Sequence, residues 1–138
     1  MKDSDSAVVN GKQTPKQARE LRQSLDTSQR ELVETTVADL LDLLGRRHTM
    51  AILSEFAFAG EPLRFSHLET SLEVPPNTLS TRLQELTEVS LLHRRRYDEV
   101  PPRVEYEPTE KLRALFPMFG HLHCWAVEHE LDTPISPK

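Results

Sequence analysis

The chain has 138 residues, of which 37% are hydrophobic and 28% charged, and its formal net charge is −5. That is material for one ordinary domain rather than two, in proportions that suit a soluble globular fold and not a disordered or fibrous chain. No apolar run approaches the ~20 residues that span a bilayer, Met1 to Ser6 shows no leader pattern, and Cys124 stands alone. No membrane segment, secretory leader or internal disulfide is expected, and the reducing cytoplasm is the expected compartment.

The acidic total hides an uneven distribution. Four arginines fall between Arg94 and Arg103 against Asp98 and Glu99, and no acid lies between Leu43 and Ser54 around Arg46 and Arg47. The segment from His121 to Lys138 holds Glu128, Glu130 and Asp132 against a single lysine. An acidic body with a basic edge remains compatible with DNA, because the field at the contact matters more than the sum.

Residues 1–13 carry almost no large apolar side chains and read as a disordered tail; 132–138 read as a flexible one. From Thr14, a plausible N-cap before Pro15, to Arg30 the chain is polar. Leu21, Leu25 and Leu32 make one narrow stripe along a helix that needs a partner to cover it. Val37, Leu40, Leu41 and Leu44 mark a second helix ended by Gly45, and Ile52, Leu53 and Phe56 a third over about Arg46 to Ala59, ended by Gly60. Phe65 to Thr70 makes a short helix with Phe65 and Leu68 inward. After Val74-Pro75-Pro76 a further helix, 76–89, places Leu79, Leu83 and Leu86 on one face.

Leu91 to Tyr97 and Arg103 to Glu107 are extended in character around Pro101-Pro102, which fits neither a helix nor a central strand. They read as an antiparallel ribbon over 91–107. A last helical region starts at Thr109 and carries Leu112, Leu115, Phe116, Phe119, Leu122 and Ala126, with a break expected at Pro117. The expected fold is mainly α with a small antiparallel β-hairpin: a single domain over 14–131 of the winged helix-turn-helix type, with 35–107 as its core.

With Leu79, Leu83 and Leu86 facing inward, the opposite face of the 76–89 helix presents Asn77, Ser80, Thr81 and Gln84, with Thr78 and Glu85 at its margins. Short side chains that donate and accept hydrogen bonds suit base edges, and none is bulky enough to keep a helix out of the major groove. Arg82 lies on the flank, toward a backbone phosphate. An ordinary solvated helix has the same pattern. The ribbon supplies the second signal, since Arg94, Arg95, Arg96 and Arg103 cluster on it and can lie along phosphates or in the minor groove. The combination carries the inference.

These residues resemble a known family. Leu43-Leu44-Gly45-Arg46-Arg47-His48-Thr49-Met50-Ala51-Ile52-Leu53, Leu63-Arg64-Phe65-Ser66-His67-Leu68, Leu79-Ser80-Thr81-Arg82-Leu83-Gln84-Glu85-Leu86, the run from Tyr97 to Tyr106 and Thr109-Glu110-Lys111 are similar to HxlR-type winged helix regulators, over roughly Thr35 to Glu130. The resemblance implies a cytoplasmic, homodimeric prokaryotic transcription factor. It also implies that 14–34 and 109–131 are dimerisation helices, with Leu21, Leu25 and Leu32 packing on Phe116, Phe119, Leu122 and Trp125, partly across subunits. Thr35-Thr36 stand where many relatives have Cys-Pro, so thiol chemistry is absent there. His48 stands where Trp is usual, and Pro75 where a side-chain cap such as Ser is common.

Little supports other chemistry. His121 and His123 point about 200° apart on a helix and cannot converge on one ion, and His121 with Cys124 lacks zinc spacing. Cys124 is better explained by packing than by sensing. No phosphate loop, HExxH, nucleophile elbow or catalytic carboxylate pair is present, and no cofactor or metal is expected. The function expected is a sequence-specific, homodimeric regulator bound to double-stranded DNA at an inverted repeat. A small-molecule effector seated under Trp125 and Phe119 is a variant of it. A winged helix that docks proteins without reading DNA is the competing class, which the net charge favours and the arginine cluster opposes.

Overall fold

The computed structural model describes residues 15–132. The expectations for the tail at 1–13, the Thr14 cap and the end of the chain from 133 fall outside them. The described elements are α1 (Pro15–Ser24), α2 (Thr27–Leu44), α3 (Thr49–Ala59), β1 (Leu63–Arg64), α4 (Phe65–Leu72), α5 (Pro76–Glu88), β2 (Leu92–Tyr97), β3 (Arg103–Pro108), α6 (Glu110–Arg113) and α7 (Phe116–Glu128).

The first helix differs from its expected course. The stripe Leu21, Leu25, Leu32 is not on one helix, because the chain breaks between Ser24 and Thr27. Asp26 accepts the Gln29 backbone N–H at 2.8 Å, and the Gln29 side chain accepts the Asp26 N–H at 2.9 Å. This reciprocal cap starts α2 just after Leu25, and apolar spacing cannot reveal it. The helix then runs unbroken through Thr35-Thr36 to Leu44, so the two expected helices are one there. Arg22 bonds Glu34 at 2.9 Å and ties α1 back onto it.

α3 begins at Thr49 rather than near Arg46, after a turn in which His48 takes φ 73°. Its end at Gly60, φ 70°, uses the left-handed conformation that costs a side chain about 1–2 kcal/mol and glycine little. Pro76 is the first residue of α5, where its missing N–H was never needed. The Pro75 carbonyl accepts from Leu79 at 2.9 Å, the first bond of the helix, and no side-chain cap precedes it.

The ribbon is part of a three-stranded antiparallel sheet ordered β1-β3-β2. Leu63 pairs with Tyr106 and Arg64 with Glu105, so the two-residue β1 covers the outer edge of β3. A strand that short carries no alternation to read, which is why a two-stranded ribbon was expected. Thr109 caps α6 through Leu112 N–H at 3.3 Å. The break expected at Pro117 falls just before it, at Ala114–Leu115, and Pro117 sits in the first turn of α7.

The core gathers Ile52, Leu53 and Phe56 from α3, Leu68 from α4, Leu79, Leu83 and Leu86 from α5, Leu92 and Tyr106 from the sheet, and Leu112 and Phe119 from the last helices. It lies at the hub of α3, α4, α5 and the sheet. α1 contributes nothing to it, and α2 only Leu43 and Leu44. Thr49 is fully enclosed, and its Oγ1 finds no partner among the described residues. An enclosed unmatched hydroxyl costs about 1–3 kcal/mol, so the near-isosteric Thr49→Val is expected to raise stability by about 1 kcal/mol. A urea midpoint that stays put or falls would show that the hydroxyl is satisfied after all.

Candidate nucleic-acid interface

α4 and α5, joined through Glu73 at φ 55°, form the helix-turn-helix. The apolar stripe of α5 is sunk in the core, and Asn77, Ser80, Thr81 and Gln84 are exposed on the other side, as their spacing requires. Thr78 is half-buried at the margin. Thr81 Oγ1 donates to the Asn77 carbonyl at 3.0 Å, and Gln84 Nε2 to Glu88 at 3.2 Å. Both bonds are local and exposed, so each is exchangeable for a base edge.

Arg82, on the flank of α5, is bonded within the protein. Its Nε donates to the Arg47 carbonyl at 2.9 Å and its Nη1 to both oxygens of Glu85 at 3.2 Å. Its side chain is only 19% exposed. These bonds tie Arg82 to the turn before α3 and to Glu85 on its own helix.

Strand alternation divides the four ribbon arginines. In the β2–β3 register Arg94 faces Tyr106, Arg95 faces Glu105 and Arg96 faces Val104. Arg94 and Arg96 therefore share the side on which Leu92 and Tyr106 meet the core, and Arg95 turns to the other side. Arg95 bonds Glu107 at 3.0 Å. Arg96 lies 3.9 Å from the exposed Asp98. Arg103 donates to Glu105 at 3.0 Å and to Glu99, and its guanidinium stacks 4.0 Å over the Tyr97 ring. The two carboxylates, Glu99 first, raise its pKa above the usual arginine value and keep it charged. Arg94 alone of the four has no carboxylate partner among the described residues.

Between the ribbon and the helix-turn-helix lies an open cleft of about 580 Å³ lined by Arg64, Ser66, Ser80, Arg94, Pro101 and Tyr106 among others. It joins the exposed face of α5 to the inner side of the ribbon and places Arg94 and Ser80 on the same cleft. Arg64 and Ser66 were not among the expected site residues. Their signal was spatial: the pairing of Arg64 with Glu105 brings the start of α4 to the ribbon, and β1 was too short to announce it. Val100–Pro101 in the ribbon tip is a cis peptide.

The peripheral helices expose apolar surface. On α2, Leu32 is 67% and Leu41 62% exposed, with Val33 and Val37 between them. Leu122, Trp125 and Val127 on α7 and Phe58 at the end of α3 are also exposed, and Phe58 packs edge-on against His123 at 5.2 Å. Phe119 is fully enclosed in its own chain and has no surface left for a partner, and Phe116 is half-buried beside it. Cys124 is exposed on α7. Among the described residues no cluster of His, Cys, Asp or Glu could hold a metal, and no helix is long and apolar enough to cross a membrane.

A second hollow, also about 580 Å³, is bounded by α2, the end of α5 and α6, with Leu40, Leu43, Leu91 and Leu115 as apolar walls and Asp39, Arg46, Glu85 and Lys111 around them. Neither Trp125 nor Phe119, under which a pocket was expected, lines it.

Comparison with known proteins agrees with this geometry. A family model described as HxlR-like helix-turn-helix matches residues 43–133. The uncharacterized HTH-type transcriptional regulator BH0655 of Halalkalibacterium halodurans is 32% identical over 102 residues, covering 73% of this chain and 89% of that one. The uncharacterized HTH-type transcriptional regulator Rv3095 of Mycobacterium tuberculosis is 42% identical over 102 residues; the match takes in 74% of this chain but 63% of that longer relative. Among solved structures, the reduced form of the transcriptional regulator YodB from B. subtilis aligns with a TM-score of 0.61 at 26% identity, covering 72% of this chain and 96% of YodB. The redox regulator HypR in its oxidized form gives the same score and identity over 70% and 98%. By the extent of the family match and by these relatives, the chain belongs to the HxlR-like helix-turn-helix family.

Proposed function

We propose that the protein is a sequence-specific transcriptional regulator that binds double-stranded DNA as a homodimer. The observation that carries this reading is the adjacency of two surfaces. Ser80 on the polar face of α5 and the one ribbon arginine without a carboxylate partner among the described residues line the same cleft. Asn77, Ser80, Thr81 and Gln84 read base edges in the major groove, with Thr78 at the margin. Arg94 grips the strand that runs through the cleft, which Arg64, 3.9 Å from Glu105, also lines. Arg95 and Arg103, held by Glu107, Glu99 and Glu105, act first as the frame of the ribbon.

Exposed apolar residues on α2 and α7 support the dimer, since side chains of this size in a row seldom face water in a monomer. Two-fold symmetry places half-sites about one helical turn apart or a small multiple. The relatives' names support regulation, and the cytoplasm is where such a protein would act. A small-molecule effector, if one is used, has the hollow beside α2, α5 and α6 as its concave surface. Thiol sensing at Thr35-Thr36 is chemically closed to this chain.

The direct test is fluorescence anisotropy with DNA from upstream of the protein's own gene and with a scrambled duplex, across ~50–300 mM salt. The upstream duplex is expected to keep its preference as salt rises. Equal, weak binding to both, lost at modest salt, would end the sequence-specific reading and leave the protein-docking module in its place.

A further inference from the structure

The recognition helix is attached to the core by Leu79, Leu83 and Leu86, all fully buried. The buried stripe sets which face of the helix turns inward, and close packing of those side chains sets how deep it sits. A second attachment is directional. Arg82 on α5 donates to the Arg47 carbonyl, 35 residues earlier in the chain, and to both oxygens of Glu85. Glu85 also takes Arg46 Nη1 at 3.2 Å, and Arg46 Nη2 reaches Asp42 on α2 at 3.4 Å. Glu85 ahead of Asp42 raises the Arg46 pKa, so this guanidinium stays charged at any working pH. The chain Asp42–Arg46–Glu85–Arg82 thus joins α2, which carries the exposed apolar stripe, to the helix that carries the reading face.

We propose that Arg82, through Glu85 and Arg46, is a positioning residue that fixes the angle of the recognition helix relative to α2 and so sets the half-site spacing that the dimer accepts. The inference rests on the dimeric DNA-binding reading above. Arg82 and Glu85 are the two least exposed members, at 19% and 25%, so their geometry is held where water competes least. A planar guanidinium fork sets direction as well as distance, which a lysine ammonium cannot do. In a symmetric dimer a small rotation of each α5 moves both reading faces, and an error in spacing is counted twice.

The test begins by selecting duplexes from a random-sequence pool with the wild-type protein, then lengthening and shortening the separation of the selected half-sites. One inserted base pair turns one half-site by ~35° against the other, and wild type is expected to lose about tenfold in affinity. Arg82→Lys and the isosteric Glu85→Gln are each expected to lose less than about threefold on the same change, while melting temperature, dimer mass and affinity for random DNA stay at wild-type values. A spacing preference equal to wild type in both variants would overturn the inference. So would a uniform fall on every duplex with a flatter salt slope, which would put Arg82 on a phosphate. If the wild-type protein enriches no symmetric site, the dimeric DNA-binding reading falls instead, a result visible before any variant is made.

Discussion

Arg94→Ala is expected to weaken binding to specific and scrambled DNA alike, by about tenfold at ~100 mM salt, and to reduce the slope of log K against log salt by about 2. The slope follows from one phosphate lost per protomer, each counting ~0.9. Arg94 should exceed its neighbours because its charge is uncommitted among the described residues. Arg95 must leave Glu107, and Arg103 must leave Glu99, Glu105 and the Tyr97 ring, before either can serve a phosphate. Exposed ion pairs are worth only about 0–1 kcal/mol, so the exchange is open to them, but the net gain in neutralised phosphate is smaller. Arg95→Ala is therefore expected to change the slope by less than half as much. Measured slopes that fall equally for Arg94→Ala and Arg95→Ala would show that the carboxylates do not ration the ribbon's charge.

The difference between those arginines marks how far the sequence reaches. Three consecutive arginines and the stripe Leu79, Leu83, Leu86 are legible as residues, and the stripe's period alone separates Asn77, Ser80, Thr81 and Gln84 from the core. The order of helices and ribbon follows from the same periodicities. What one period cannot carry is the partner of a side chain. That Arg82 turns to Arg47, and that Glu105 and Glu107 of β3 occupy ribbon arginines, depends on strand register and on contacts across long separations. The two-residue β1 and the cap at Asp26 lie below the length at which a pattern exists, although Asp26 with Gln29 three residues on is a cap signature readable in retrospect. Assigning Phe119 to an interface failed for a related reason. An apolar stripe says that a face is covered, not whether its own chain or another covers it.

That last ambiguity separates two kinds of substitution on α7 and frames the largest expected effect. Phe119→Ala removes a ring enclosed in its own chain, and such losses cost about 3–5 kcal/mol, enough to unfold a marginal domain. Leu122 is 47% exposed, and on α2 Val37 is 49% and Leu41 62% exposed. Carboxylates there replace side chains that already face water in the single chain, so Val37→Glu, Leu41→Glu and Leu122→Glu together should leave the fold intact. In a two-fold interface each charge is met by its own copy or by apolar surface, and the cost of burying an unpaired charge there far outweighs anything the longer side chain could touch in return. The triple variant is expected to sediment as a monomer with wild-type helical content. Its DNA affinity should fall by about 10²–10⁴, because the second half-site is no longer held at high effective concentration by the first. Since no DNA-facing residue is altered, its weak residual binding should keep wild-type preference for a single half-site. A triple variant that remains a dimer by sedimentation would move the interface off α2 and α7, and one that is monomeric yet binds the full site undiminished would remove two-fold symmetry from the recognition of DNA.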